Sequence, residues 1–361
     1  MSDSPPKRSR QLSSQVPARK PELKKPLKTP QESLYARIDF LEEKLLSTVG
    51  IGSKDYSKAD LSLQGVHYLE FGRGNSPTVI LVHGYAGSGV TFLRIIPELM
   101  KKFRVLAIDL PGFGKSDRPD YSFSDFESSM RYFSIPIITL LNLRKIETFI
   151  LVGHSYGGLI CSHVAKLVPE RVLGLFLVSA AGFTRRDFSP SEREQLLAQT
   201  ARSYELAPEL VRLFNFVAFD RKYPIFDFLS ASFTDRYIEE YFQNKQFQLS
   251  KEQVTLFCLY YQTVHRLPPL GLMSVFYILR PGAYCDHPII EVLKELPSLP
   301  FFAYYGDQDW IDFHSAKSQL SELGLESKLR VIDSTTHQIF FQNPAAFLIR
   351  FSADIGSILL A

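Results

Sequence analysis

Cysteine is scarce in this 361-residue chain. Cys161, Cys258 and Cys285 are too few and too scattered for a disulfide framework or a zinc site, which fits a reducing, cytoplasmic setting. Long apolar runs are missing as well. No stretch approaches the roughly 18 uninterrupted apolar residues that a membrane-crossing helix needs, and the first residues lack the apolar centre of a secretory signal. The glycine-rich loop His83–Gly89 lacks both the Lys-Ser/Thr of a phosphate-binding loop and the spaced glycines of a dinucleotide site. One segment has a marked excess of positive charge: residues 1–30 carry eight Lys and Arg against two acids. That segment is therefore +6, and with +3 for the whole chain the remainder is −3. The basic excess belongs to the tail, so nothing in it points to nucleic-acid binding by the rest.

A segment with so little to bury, broken by Pro5, Pro6, Pro17, Pro21, Pro26 and Pro30, is expected to stay disordered. It reads either as a solvated tail or as a polybasic tether to an anionic membrane or lipid-droplet surface. Its prolines and lysines argue against a mitochondrial presequence. Just after it, Leu34, Ile38, Leu41, Leu45 and Val49 form a helical apolar stripe, expected to pack on a core. The length suits one core of about 250 residues plus an insertion better than two domains.

What is present centres on Gly153-His154-Ser155-Tyr156-Gly157-Gly158, directly after the apolar run Thr148–Val152. That is a strand feeding a G-x-S-x-G turn, and Leu159–Leu167 reads as the helix after it. A serine on such a turn is lifted to the end of a sheet, and small residues flank it because strand and helix approach closely. A chance G-x-S-x-G is common, but the strand before and the helix after remove most of that alternative.

A serine is a weak nucleophile unless a histidine takes its proton and a carboxylate orients that histidine. The strand Leu299–Tyr305 ends in Gly306-Asp307-Gln308-Asp309-Trp310-Ile311-Asp312, where three carboxylates compete. Asp309 is the chosen acid, because the fourth residue of such a loop turns back toward the sheet end. Asp307 and Asp312 suit turn and helix-cap roles. The base is expected at His337, in the loop after the strand Lys328–Asp333 and before a helix from about Pro344. His163 and His314 fall on helices, and His265 and His287 in the inserted segment. The oxyanion of a tetrahedral intermediate needs preorganised donors. The backbone N–H groups of Tyr156 and of Tyr85 are the candidates, Tyr85 lying in the glycine-rich loop His83–Gly89 after the strand Pro77–Val82. His83 is assigned to orienting that loop.

With these motifs in place, the chain resembles the α/β-hydrolase superfamily over nearly its whole length after the tail. Asp109-Leu110-Pro111-Gly112-Phe113-Gly114-Lys115-Ser116 is similar to that superfamily's D-x-x-G-x-G-x-S turn. Within it, the nearest resemblance is to the branch holding the lipid-droplet lipase co-activator, the N-acyl-phosphatidylethanolamine lysophospholipases and the yeast cardiolipin deacylase. Leu110–Pro119, the helix Ser33–Val49, and Pro169-Glu170-Arg171-Val172 with Leu177–Phe183 carry that likeness. Two departures stand out. Branch members with acyltransferase activity carry H-x-x-x-x-D at the catalytic histidine, whereas Gln342 follows His337 here. The co-activator lacks the nucleophilic serine that this chain has at position 155.

From Phe183 to Leu270 there is no glycine, and Arg212–Tyr261 is crowded with aromatics, among them Phe214, Phe228, Phe242, Phe257 and Tyr261. Such a segment suits several helices, and the superfamily commonly carries a helical cap there. The aromatics either dock short helices on the core or line an apolar acyl tunnel. The expectation is thus an α/β fold of α/β-hydrolase type with a mostly parallel central sheet, helices on both faces and an inserted cap. Its parts are a tail at 1–30, a domain at 31–361 and a cap at about 184–298. The resemblance implies a serine hydrolase of fatty acyl lipid esters, (lyso)phospholipid or acylglycerol, that needs no cofactor or metal. Alternatives are a non-enzymatic lipid-surface scaffold or lipase regulator, and a proline-type peptidase on the same fold. An epoxide hydrolase or dehalogenase would use aspartate where Ser155 stands.

Overall fold

A computed structural model describes residues 30–58, 65–186 and 231–360, with isolated positions at 189–195. Residues 1–29 of the basic tail and the aromatics from Phe214 to Phe228 lie outside the described residues.

Eight strands form one sheet: β1 (Tyr56–Lys58), β2 (Tyr68–Phe71), β3 (Thr78–Val82), β4 (Arg104–Ile108), β5 (Phe149–His154), β6 (Val172–Val178), β7 (Phe301–Gly306) and β8 (Leu329–Ile332). Their order is β1-β2-β4-β3-β5-β6-β7-β8. The pairs β1–β2 and β2–β4 are antiparallel, and every other pair is parallel. Central strands of such a sheet are covered on both faces, which is why β3 and β5 read as unbroken apolar runs and not as alternating ones. Along β3, Ile80 and Val82 enter one apolar layer while Val79 and Leu81 enter the other. Along β6, Leu175 and Leu177 oppose Phe176 and Val178 in the same way.

The helices are α1 (Pro30–Ser47), α2 (Phe126–Leu143), α3 (Tyr156–Leu167), α4 (Ala231–Phe242), α5 (Lys251–Val264), α6 (Ile289–Glu295), α7 (Phe313–Glu322) and α8 (Pro344–Leu359), besides shorter turns. One layer takes Phe133 and Leu140 of α2, Ile160 and Val164 of α3, and Leu320 of α7. The other takes Ile38, Leu41 and Leu45 of α1 with Phe347 and Phe351 of α8. The stripe on α1 is thus a packing face, laid against α5. Starts follow capping rules: Asp125 accepts from Ser128 N at 2.8 Å ahead of α2, and Ser250 from Gln253 N at 3.1 Å ahead of α5.

The segment between β6 and β7 supplies α4, α5 and α6. Phe242 stacks on Phe257 at 5.0 Å, and Phe247 on Phe341 at 5.5 Å. These rings, with buried Tyr260 and Tyr261, dock the inserted helices on the core. For this subset of the aromatics, docking is the role the packing gives.

Candidate active site

Ser155 follows β5 directly and caps α3 with φ 53° and ψ −119°. A non-glycine residue at positive φ is strained by about 1–3 kcal/mol. Three backbone hydrogen bonds hold it there: Ser155 N donates to Val178 O at 2.9 Å, and its carbonyl accepts from Gly158 N at 2.9 Å and Ala181 N at 3.0 Å. The glycines beside it answer to close packing. A Cβ on Gly153 would sit 2.4 Å from the Gly157 carbonyl oxygen, and one on Gly157 would sit 2.4 Å from that of His83. α3 begins at Tyr156, earlier than the sequence pattern suggested, because the serine turn leads straight into the first helical residue.

The structure brings Ser155, His337 and Asp309 into one chain of hydrogen bonds. Ser155 Oγ lies 3.0 Å from His337 Nε2, and His337 Nδ1 lies 3.0 Å from Asp309 Oδ1. With Asp309 ionised, Nδ1 carries the proton and Nε2 is free to accept from the serine hydroxyl. Asp309 Oδ1 also accepts from Ile311 N at 3.0 Å. Burial pushes the Asp309 carboxyl up, but the His337 charge and the hydrogen bonds around it outweigh burial and hold it below the usual carboxylate value.

The neighbouring carboxylates go elsewhere. Asp307 accepts from Thr335 N at 3.0 Å. Asp312 caps α7, accepting from His314 N at 3.1 Å and from the Ser315 hydroxyl at 2.6 Å. The other histidines are likewise occupied. His163 meets Ser134 Oγ at 3.0 Å, and His314 lies on α7. His265, beside Val264 at the end of α5, is held neutral by burial, its pKa lowered to about 4.

The loop after β3 passes over Ser155: a Cβ on Gly84 would lie 3.0 Å from Ser155 Cβ. His83 shapes that loop. Its Nδ1–H donates to Gly84 O at 2.7 Å and its Nε2 accepts from Leu110 N at 2.9 Å, so both ring nitrogens are used by a neutral imidazole. Burial lowers its pKa to about 4. The phenol of Tyr85 donates to Leu272 O at 3.0 Å, and that of Tyr156 meets Ser274 Oγ at 2.8 Å. Both hydroxyls are therefore committed to the inserted segment. A cavity of about 320 Å³ opens beside this loop, walled in part by Gly87, Phe113, Arg118, His265 and Leu272.

Two neighbours of His337 escaped the sequence reading. His154 Nε2–H donates to the His337 carbonyl at 3.0 Å; its ring is buried, and burial with the nearby His337 charge lowers its pKa to about 3. Its position inside G-x-S-x-G was the available signal. Trp310 is 59% exposed with its ring 5.2 Å from that of His337, so an exposed indole lies beside the imidazole.

Among the described residues, one other group, Glu42, His67 and Asp109, gathers ligand-type atoms within 4.8 Å of one another. Part of its donor set is already engaged. Asp109 accepts from Gly89 N at 2.6 Å and Lys115 N at 2.7 Å, and His67 Nε2 meets Glu42 Oε1 at 3.1 Å. The group is a buried histidine–carboxylate pair beside a turn anchor.

Fold and site together define a hydrolase scaffold with its G-x-S-x-G turn at the end of β5, and the sequence profile for the alpha/beta hydrolase fold matches residues 77–344. The chain belongs to that family. It is 26% identical over 282 residues to a probable 1-acylglycerol-3-phosphate O-acyltransferase of Oryza sativa subsp. japonica, covering 76% of this chain and 66% of the relative. It is 25% identical over 274 residues to the abhydrolase domain-containing protein abhd-5.2 of Caenorhabditis elegans, covering 75% of this chain and 57% of that one. The chain thus spans just under two thirds of the rice relative's length. Among solved structures, a membrane phospholipase A described as a bacterial virulence factor aligns over 91% of this chain and 92% of its own, with TM-score 0.61 and 19% identity. That likeness is one of fold. Among the described residues no helix is long and apolar enough to cross a membrane.

Proposed function

We propose that this protein hydrolyses carboxylic esters of fatty acyl lipids through an acyl-enzyme on Ser155. The observation that carries the reading is the unbroken run from Ser155 Oγ to His337 to Asp309, with both links at 3.0 Å and the serine on a strained turn. A purely structural serine has no need of such a partner. His337 takes the hydroxyl proton as Ser155 attacks the ester carbonyl, and Asp309 holds the imidazole in the required tautomer and stabilises its cation. The N–H groups of Tyr85 and Tyr156 receive the oxyanion, since their phenols point elsewhere. His337 then protonates the leaving alcohol and activates the water that frees the fatty acid. None of these steps calls on a cofactor.

The lipid part of the reading draws on the two relatives, one named for acyl transfer to an acylglycerol phosphate and the other for the abhydrolase-5 group. Water is proposed as the acyl acceptor because Gln342 stands where the transferase pattern has aspartate. The test is fatty-acid release from lysophospholipids, diacyl phospholipids, cardiolipin and neutral glycerides, with Ser155→Ala in parallel. Release by wild type and none by the variant supports the proposal. Inertness toward every lipid, together with an unreactive Ser155 toward a fluorophosphonate, returns the scaffold reading. Reactivity without lipid turnover points to the peptidase.

A further inference from the structure

The short helix Ile339–Gln342 lies immediately behind His337, and its last side chain reaches back along the chain. Gln342 is buried, and its carboxamide is fully used. Its Oε1 accepts from Thr336 N at 2.6 Å, and its Nε2 donates to Thr336 Oγ1 at 2.8 Å and to Gln246 Oε1 at 3.0 Å. The amide has one productive orientation, because a flipped group would set two donors face to face at Thr336 N. Gln246 lies on the turn Lys245–Phe247 of the inserted segment, with an exposed side chain. Two further contacts tie the same pieces together. Arg94 Nη1 donates to Phe247 O at 2.8 Å and also to Phe341 O, and the rings of Phe247 and Phe341 stack. His337 is thereby held from the core side by His154 and from the cap side through Thr336.

We propose that Gln342 is a positioning residue for His337 and that Gln246 is its anchor on the cap, so that the seating of the cap and the reach of His337 toward Ser155 are set together. This rests on the reading of His337 as the base. A loose cap turn frees the Gln342 amide, and with it the Thr336–His337 peptide that aims the imidazole. A tight one fixes that peptide without adding any charge near the site.

The test uses the full chain, steady-state hydrolysis of p-nitrophenyl butyrate, and hydrogen exchange of the peptide spanning residues 334–342. Truncating an exposed glutamine on a surface turn is ordinarily silent. Here Gln246→Ala lowers kcat by about threefold to tenfold, the value of one hydrogen bond, with KM and the melting temperature nearly unchanged. Gln246→Glu keeps the acceptor for Gln342 Nε2 and restores the rate. Gln342→Ala costs more, and the double variant Gln246→Ala/Gln342→Ala is no slower than Gln342→Ala alone. Wild-type rates in Gln246→Ala, no rescue by Gln246→Glu, or losses that multiply in the double variant overturn the proposal. Should Gln342→Ala fail to fold, the Gln246 pair of variants still decides. Should wild type turn over no ester, the functional reading falls, and exchange then judges the bridge alone. Faster exchange at 334–342 in Gln246→Ala upholds it and unchanged exchange overturns it.

Discussion

Among the described residues, two places set a histidine against a buried carboxylate, and they have opposite properties. At the end of β5, His337 lies between Asp309 and the Ser155 hydroxyl, with an indole beside it. At the edge where α1 meets the sheet, His67 lies against Glu42, sealed by Tyr260 and flanked by Lys58. Burial alone would lower the His67 pKa, but the Glu42 charge and hydrogen bond outweigh it and raise the value above that of an ordinary histidine. That ring fastens α1 to the core. Residue types alone do not separate the two. The difference lies in the serine hydroxyl on a strained turn, which stands beside one imidazole and not the other.

Breaking each pair in turn should therefore produce opposite phenotypes. Ser155→Ala and His337→Ala lower kcat on the order of 10⁵–10⁶-fold while the melting temperature holds, as read by an ester assay beside thermal unfolding. Asp309→Asn lowers it on the order of 10⁴-fold, whereas Asp307→Asn and Asp312→Asn stay within about tenfold of wild type. Near-normal turnover by Asp309→Asn would sink the assignment. Glu42→Ala removes the hydrogen-bond partner of buried His67 and Tyr260 and destabilises the fold by about 1–3 kcal/mol, visible in denaturant midpoints. Turnover per folded molecule stays unchanged in that variant.

Acid sharpens the contrast more gently. His83 and His154 are kept neutral by burial, with pKa values lowered to about 4 and about 3. In the unfolded chain each titrates near 6.5, so below that value the unfolded state binds protons that the fold refuses. Stability should fall by up to about 1.4 kcal/mol per pH unit for each ring between roughly pH 6.5 and 4. His67 runs the other way: its pair is at full strength below pH ~6.5 and is lost as pH rises through its raised pKa. Urea midpoints against pH, with His83→Asn flattening the acid limb, test the signs. The smallest effect concerns Trp310, the chain's single tryptophan. Trp310→Phe changes kcat less than about threefold.

Much of the scaffold was legible locally. Each central strand is a short β-rich run buried on both faces, and the elbow announces itself because six adjacent residues must satisfy one tight turn. Strand ends shifted by a residue or two, as at β8, where Lys328 belongs to the preceding turn Glu326–Lys328. Loop geometry put Asp309 ahead of Asp307 and Asp312, and the three carboxylates do part company in the fold. What stayed hidden were partners far apart in the chain: Glu42 with His67, His154 with the His337 carbonyl, Gln246 with Gln342. Gln342 was noticed only as a departure from a pattern, and its grip on Thr336 needed coordinates.

The sequence by itself determined where a nucleophile turn can form, which strands must be buried, and which charges belong to the tail, because these depend on neighbours within a few residues. The tertiary structure decided which carboxylate meets His337, which histidines burial keeps neutral, and how the inserted segment is tied to the His337 loop. Those outcomes depend on distance, burial and the donors left over once the backbone is paired, and such quantities exist only when residues some 20 to 180 positions apart are brought within 3 Å or so of one another.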